Sequence, residues 1–147
     1  MDISKINENL YVGTTPATED YDLLRDRGVT LVINMRFESR PRPDNHNPPM
    51  ARLWLPTFDS PLIPIPLRAL RKGVHAALEI IHTGGKVFVH CAAGVHRSVA
   101  LAAAILIAQG HPPDGAAELL KARRPAADPE IWYIRRRIEK FASTWEA

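Results

Sequence analysis

Apolar and polar positions change their period several times along the chain, which predicts strands alternating with helices. Alternating or continuous apolar runs predict a strand or hairpin over residues 6–14, ending at Gly13, and strands over 29–35, 52–57 and 86–90. Helical spacing predicts helices over 19–27, with Thr18 as the N-cap, and over 67–82, 97–109, 114–122 and about 129–145. This order predicts an α/β fold with a mostly parallel central sheet covered by helices on both faces.

The segment 39–49 interrupts this pattern. It holds four prolines among polar residues, so neither a helix nor an inner strand fits it. The segment is either a solvated connector or a variable wall beside a functional site, because functional residues often lie on loops held by a rigid scaffold. At 147 residues, the chain has the length of one compact domain, and we expect a single domain over 1–147.

Composition narrows the classes of partner. Lysine and arginine total 19 against 16 aspartate and glutamate, and the net charge is +3. The arginines occur in scattered clusters of two or three without a nucleic-acid motif, so we interpret them as solvated helix faces and expect no nucleic-acid binding. The longest apolar run, 99–108, is shorter than the roughly 20 residues that a membrane-spanning helix needs.

The chain has a single cysteine, which excludes an internal disulfide framework. Its first residues show neither a signal-peptide pattern nor a lipidation motif. These features are typical of a protein in a reducing compartment, so we expect a cytoplasmic location, and we also expect a monomer.

That cysteine lies in the most informative segment of the chain. Cys91 follows an apolar strand, and five residues separate it from Arg97, where an alanine-rich helix begins. The N–H groups of a tight loop at a helix N-terminus favour both a phosphate and a cysteine thiolate. Arg97 would add a planar, two-pronged donor to the phosphate. The segment therefore predicts a phosphate-binding loop around a nucleophilic cysteine; the alternative is a buried structural thiol.

This segment resembles the signature of the cysteine-based protein tyrosine phosphatases. The pairs His90-Cys91 and Arg97-Ser98 flank the loop, while Ala93-Gly94 and Ala104-Ile105-Leu106-Ile107 are more similar to the dual-specificity branch. The resemblance implies a phosphotyrosine phosphatase-like fold and a phosphocysteine intermediate. It also implies hydrolysis of phosphotyrosine and of phosphoserine or phosphothreonine, without a metal or cofactor. Three positions depart from that branch, which most often has serine, threonine and tyrosine at His96, Ala100 and Ile105.

The resemblance also implies roles for the loop residues. Cys91 is the nucleophile, Arg97 holds the phosphate, and Ser98 stabilises the Cys91 thiolate when the intermediate breaks down. His90 faces away from Cys91 on the strand, so we expect it to brace the loop by hydrogen bonding. The phosphate-binding residues are expected to be Ala92, Ala93, Gly94, Val95, His96 and Arg97. His96 either contributes a titratable positive charge at the loop rim or faces solvent, and we favour solvent.

A departing alkoxide or phenoxide needs a proton from a second loop. Asp59 follows the strand 52–57 and precedes Cys91 by 91 − 59 = 32 residues, about the separation that dual-specificity phosphatases show. We predict Asp59 as the general acid, with Asp44 in the proline-rich segment as the second candidate.

Other functions remain open from the sequence. The substrate is a phosphorylated protein or a small phosphate ester such as a phosphoinositide, nucleotide or sugar phosphate. A rhodanese-like sulfurtransferase also places a cysteine in an anion-binding loop, but it leaves Asp59 and the Arg97-Ser98 pair unexplained. A catalytically silent phosphate-binding module is the third alternative.

Overall fold

The computed structural model describes residues 1–145 and contains one five-stranded sheet. Its strands are β1 (Ile3–Asn7), β2 (Leu10–Thr14), β3 (Val29–Arg36), β4 (Ala51–Thr57) and β5 (Lys86–Cys91). Their spatial order is β1-β2-β5-β3-β4, and every neighbouring pair is parallel except the β1–β2 hairpin at the edge. The expected mostly parallel sheet is confirmed.

Within residues 1–145, five α-helices accompany the sheet. They are α1 (Tyr21–Asp26), α2 (Leu67–His82), α3 (Arg97–Ala108), α4 (Pro113–Arg123) and α5 (Trp132–Thr144). Among the described residues, none of these helices is both long enough and apolar enough to cross a membrane.

Most element boundaries lie within one residue of the prediction, and the first and last helices start later than predicted. Of the two alternatives for the segment 6–14, the structure shows the hairpin: β1 and β2 pair antiparallel, and Asn7 accepts the backbone N–H of Asn9 where the chain turns between them. Thr18 does not cap the first helix; it starts a 3₁₀ turn in which Asp20 accepts the N–H of Ala17. The last helix starts later than predicted, since Asp128 accepts the N–H groups of residues 130 and 131 ahead of it.

The two faces of the sheet carry different layers. Along β5, Val87, Val89 and Cys91 face the large core formed with α2, α3, α4 and α5. Phe88 faces the opposite, smaller cluster, which is completed by Tyr21 and Leu24 of α1. This alternation follows from the two-residue period of a strand. His90 lies two residues after Phe88, so it is on the same α1 face of the sheet. Cys91 is on the opposite face, which packs against α3.

Helix α3 lies at the centre of the larger layer. Every residue from Arg97 to Leu106 is buried, which explains why this helix is apolar all round rather than amphipathic. Truncating Leu101, which is fully buried, would cost about 2–5 kcal/mol of folding free energy. A helix fixed this firmly holds its N-terminus in place, and that N-terminus adjoins the Cys91 loop.

The parallel strands bring their carboxyl ends to one edge of the sheet. β5 ends at Cys91, β3 leads directly into residues 37 and 38, and β4 leads into residues 58 and 59. Ligands of open α/β sheets bind beyond this edge.

Candidate active site

Cys91 ends β5 with 3% of its surface exposed. Its Sγ lies 3.2 Å from the Ser98 Oγ, a contact in which the Ser98 hydroxyl donates once the thiol has lost its proton. Burial alone would raise the pKa of the Cys91 thiol. Hydrogen bonds from the Ser98 hydroxyl and from the N–H groups of Ser98 and Gly94, together with the Arg97 charge, outweigh burial and lower the pKa below the ordinary thiol value. The site therefore favours a thiolate.

The carbonyl groups of the loop are held on its outer side. Arg124 donates from Nε to the Gly94 carbonyl at 2.8 Å and from Nη2 to the Ala93 carbonyl at 3.1 Å. The backbone N–H of Asp128 donates to the Val95 carbonyl at 3.0 Å. In a trans peptide the N–H points opposite to the C=O. The N–H groups of residues 94, 95 and 96 therefore point away from Arg124 and Asp128, into the concavity that we call the cradle, residues 91–98.

Gly94 is required by both the shape and the crowding of this loop. Its φ is +66°, which residues with a side chain rarely adopt. A Cβ there would lie 2.5 Å from the Arg124 guanidinium and 2.8 Å from the Gly13 carbonyl oxygen. The loop can bend tightly around an anion because this position has no side chain.

Arg97 is buried at the start of α3, with 5% of its surface exposed. Its Nη1 and Nη2 donate to the two carboxylate oxygens of Glu38 at 2.8 and 3.0 Å, and Nη1 also donates to the Thr57 carbonyl at 2.8 Å. The Arg97 hydrogen bond is the main reason that the pKa of Glu38 falls to about 2. Among the described residues, the buried Nε of Arg97 has no hydrogen-bond partner, which leaves a fixed donor for a phosphate oxygen.

Asp59 lies in the turn after β4 and contacts two side chains. The Tyr133 hydroxyl donates to its Oδ1 at 2.7 Å, and its Oδ2 lies 3.0 Å from Nδ1 of His96. Burial raises the pKa of Asp59. The two contacts and the nearby His96 and Arg97 charges lower it by more, so the pKa of Asp59 is below its ordinary value. The fold thus brings Asp59 to the cradle, next to its residue His96.

His96 does not face solvent as we expected. Its side chain is 19% exposed and lies between two carboxylates, with Nδ1 at Asp59 and Nε2 3.9 Å from Asp128. The aromatic edge of Tyr133 covers its ring at a centroid distance of 5.7 Å. The sequence did not show this because both partners are distant along the chain.

His90 lies beneath the loop on the other face of the sheet. Its ring stacks on Phe88 at 5.6 Å, and burial lowers the pKa of the imidazole to about 4, so His90 is neutral at physiological pH. Its buried Nδ1 has no hydrogen-bond partner within residues 1–145. The His90 ring packs against Phe88, and a hydrogen bond with the Cys91 backbone offsets part of the lowering of its pKa; that His90 braces the loop stays a prediction.

Asp44, the second candidate for the acid, is occupied elsewhere. Its carboxylate forms an ion pair with Arg25 of α1 and accepts a hydrogen bond from the backbone N–H of Met50. It also contacts Nδ1 of His46. The Arg25 hydrogen bond in particular keeps the pKa of Asp44 far below its ordinary value. These contacts hold the proline-rich segment against α1, on the face of the sheet opposite Cys91, which agrees with a connector rather than a wall.

Three residues of the site were not found in the sequence. Glu38 orients Arg97, Arg124 fixes the loop carbonyls and Tyr133 binds Asp59. Arg124 is also a correction to the interpretation of the arginine clusters as solvated, because it is only 2% exposed and pairs with Asp2. The one feature of the sequence that sets Arg124 apart from the other arginines is its position at the end of α4, directly before Pro125.

Comparison with known proteins identifies the family. The family model described as the dual specificity phosphatase catalytic domain matches residues 10–142. The chain belongs to this family. Dual specificity phosphatase 28 of the mouse is 30% identical over 145 residues, which are 98% of this chain and 86% of the mouse protein. Dual specificity protein phosphatase 14 of the mouse is 32% identical over 141 residues, 93% of this chain and 68% of that protein.

Solved structures of dual-specificity phosphatases share the fold. A mouse putative dual specificity phosphatase complexed with zinc tungstate has a TM-score of 0.85 and 30% identity, covering 97% of this chain and 87% of that one. Human DUSP28 has a TM-score of 0.85 and 26% identity, covering 100% and 97% of the two chains. The chain is thus a cysteine-dependent dual-specificity phosphatase with activity on phosphoproteins.

Proposed function

We propose that this phosphatase hydrolyses phosphotyrosine and phosphoserine or phosphothreonine with Cys91 as nucleophile and Asp59 as general acid. The observation that carries the assignment is the convergence at one sheet edge of a thiolate-stabilising loop, a fixed guanidinium donor and a carboxyl group. Cys91 and Arg97 come from the β5–α3 segment, and Asp59 comes from the turn after β4.

In the first step, the Cys91 thiolate attacks phosphorus and the bond from phosphorus to the ester oxygen breaks. The equatorial phosphate oxygens are bound by Nε of Arg97 and by the N–H groups that point into the cradle. Protonated Asp59 gives its proton to the leaving oxygen, which departs as an alcohol or phenol. The products of this step are a phosphocysteine and an ionised Asp59.

In the second step, Asp59 takes a proton from a water molecule, whose oxygen attacks the phosphocysteine. The phosphorus–sulfur bond breaks and inorganic phosphate leaves. The sulfur departs as a thiolate, and the Ser98 hydroxyl, 3.2 Å away, donates a hydrogen bond to it. Cys91 and protonated Asp59 are then ready for another substrate.

The substrate range follows from what surrounds the cradle. The segment 39–49 is held against α1, so it adds no depth above Cys91. Phe37 and Phe58 stack at 4.4 Å and are 55% and 40% exposed, and each precedes a residue of the site, Glu38 and Asp59. A shallow opening admits alkyl phosphate esters. The stacked phenylalanines on one side of it provide a surface on which the ring of an aryl ester can pack.

The test is replacement of Cys91 by serine, with turnover followed on an aryl phosphate. Hydrolysis should fall below about a hundredth of the wild-type rate, because an alcohol at this position lacks the thiolate nucleophile. Inorganic phosphate should still raise the melting temperature of the variant, since the N–H groups and Arg97 remain. Turnover at more than that level would rule out covalent catalysis by Cys91.

We further propose a cytoplasmic, monomeric enzyme. The support for the location is chemical: a catalytic thiolate needs a reducing environment, and the 147 residues hold no second cysteine to protect it. Light scattering of the purified chain measures the mass directly, and a dimer would contradict the proposed monomer. Microscopy of a fluorescently tagged chain tests the location, and a secreted or organellar signal would contradict the cytoplasm.

A further inference from the structure

Three side chains from three parts of the fold meet at the edge of the cradle. Asp59 comes from the turn after β4, His96 is the last residue before α3, and Tyr133 is the second residue of α5. Tyr133 donates to Oδ1 of Asp59 at 2.7 Å, while Nδ1 of His96 lies 3.0 Å from Oδ2. Each oxygen of the carboxylate therefore has its own partner, and the partners themselves are in contact at 3.4 Å.

These contacts restrict where the carboxyl group can lie. Asp59 has 38% of its side chain exposed, so packing alone does not fix it. An exposed carboxylate with one flexible partner samples several rotamers, but two partners on opposite oxygens select one orientation. His96 and Tyr133 are anchored to the rigid helices α3 and α5, so this orientation is fixed relative to the cradle.

The same contacts bear on the proton that Asp59 must deliver. Hydrogen bonds donated to both oxygens stabilise the carboxylate over the carboxylic acid, which lowers the pKa of Asp59 despite its burial. Tyr133 keeps its proton throughout the working range, because burial and the Asp59 carboxylate raise its pKa to about 12. The other charged groups that face this cluster are Arg97 of α3, and Asp128 at Nε2 of His96.

We propose that His96 and Tyr133 are positioning residues that hold Asp59 over the cradle and set the pH above which the first step loses its acid. The inference rests on the proposed role of Asp59. Removing either donor has two effects of opposite sign. The carboxyl group keeps its proton to a higher pH, so the basic limb of the pH profile moves upward. At the same time the acid is less well oriented, so the maximal rate falls when the leaving group is poor.

The first experiment measures pH profiles of kcat and kcat/KM for Tyr133→Phe. The substrates are an activated aryl phosphate and a phosphoserine peptide, whose alkoxide is a poor leaving group. The basic limb should move to higher pH with both substrates. For the phosphoserine peptide the maximal kcat should fall about tenfold, part of the 10²–10⁴ that general acid catalysis contributes, and for the activated ester it should hardly change.

The matched control is Tyr21→Phe. Tyr21 donates its hydroxyl to the backbone carbonyl of Arg42 at 2.8 Å, but it is buried on the α1 face of the sheet, away from the cradle. Loss of this hydroxyl should leave the basic limb where it is in the wild type. An equal shift in both variants would show that Tyr133 acts through general stability and would overturn the proposal.

The second experiment compares His96→Ala with His96→Asn. Asparagine can place an N–H donor close to the position of the histidine Nδ1 but does not titrate. His96→Ala should show the upward shift and the loss with phosphoserine, and His96→Asn should recover most of both. The rate at which iodoacetamide alkylates Cys91 shows, for each variant, whether the cradle and its thiolate are intact.

The outcomes separate this inference from the proposed function. If the wild type turns over no phosphate ester, the proposed function fails before these variants are compared. If the wild type is active and alkylation is normal, but neither Tyr133→Phe nor His96→Ala moves the basic limb, the positioning role alone is wrong. The positioning role would also be wrong if either variant lost the same fraction of its activity with both substrates at every pH.

Discussion

The two sides of the active site differ in how the fold supports them. On the side of the proposed nucleophile, Cys91, Arg97 and Ser98 are at most 5% exposed and belong to the strand and helix at the centre of the core. On the side of the proposed acid, Asp59 is 38% exposed and contacts the side chains of His96 and Tyr133. One side is determined by the core of the domain and the other by a few contacts at its surface.

This difference separates residues that affect the folding free energy from residues that affect only proton transfer and its pH dependence. A change in the buried cradle disturbs the same residues that fold the domain, so activity and folding free energy should fall together. A change at Asp59 or its partners removes little buried surface, and its effects should be confined to the proton transfer and to the pH profile. The predictions below test this separation, from the largest expected effect to the smallest.

The largest effect is expected on the acid side. Asp59→Asn should lower kcat by about 10² to 10⁴ with phosphoserine peptides, because the leaving alkoxide loses its proton donor. The loss should shrink with activated aryl phosphates, and the melting temperature should hardly change. Steady-state kinetics on both substrates, beside thermal denaturation, measure this. A basic limb that persists unaltered in the variant would show that another group is the acid.

Arg97→Lys should lower kcat/KM on an aryl phosphate by about 10² to 10³, the usual effect of losing one preorganised donor. Lysine keeps the charge but cannot donate to both oxygens of Glu38 and to a phosphate in one plane. In contrast to Asp59→Asn, this variant should also unfold at a lower denaturant concentration, since an imperfectly paired charge stays buried. Unchanged kinetics would remove Arg97 from its assigned role.

Gly94→Ala should cost about 1–3 kcal/mol of folding free energy, together with a measurable loss of kcat/KM, because its Cβ would meet Arg124 and the Gly13 carbonyl. Gly84→Ala is the matched control: its φ is also positive, at +87°, but nothing lies within 4 Å of its Cβ position. The control should show the backbone strain alone, about 1–2 kcal/mol, with full activity. Urea denaturation and kinetics on both variants give the comparison, and equal activities would mean that the cradle tolerates the side chain.

The smallest effect concerns the aromatic pair beside Asp59. Phe37→Ala or Phe58→Ala should lower kcat/KM for a phosphotyrosine peptide about 2- to 10-fold, the scale of one aromatic contact, and leave the matched phosphoserine peptide unchanged. The wild type should hydrolyse both peptides, with the aryl ester faster. Complete selectivity of the wild type for phosphotyrosine would contradict the shallow opening above the cradle.

The sequence predicted what depends on near neighbours along the chain. The period of apolar residues predicted the order of strands and helices, and the loop from Cys91 to Arg97 is continuous, so its resemblance to the phosphatase signature was recognisable from the sequence. Glu38, Arg124 and Tyr133 could not be found in this way. Each reaches the loop from 30 to 59 residues away, through a single side chain whose type does not reveal its partner.

The orientation of His96 shows the same limit. A histidine at the edge of a loop has two ordinary environments, solvent or a polar partner, and only the folded positions of Asp59 and Tyr133 decide between them. Thr18 was misassigned for a local reason: the chain closes a 3₁₀ turn through Asp20 before the α-helix starts, and this arrangement competes with a threonine cap.

Cys91 is the only cysteine in these 147 residues, and this affects how the protein responds to oxidative stress. A thiolate is the form of cysteine that peroxide oxidises to a sulfenic acid. Many redox-sensitive enzymes then protect that sulfur by forming a disulfide with a resolving cysteine, but no such cysteine exists within this chain. Recovery of oxidised Cys91 through a disulfide therefore depends on a thiol from outside the chain, such as glutathione, which makes the supply of small thiols in the surrounding solution a determinant of how long the enzyme stays active.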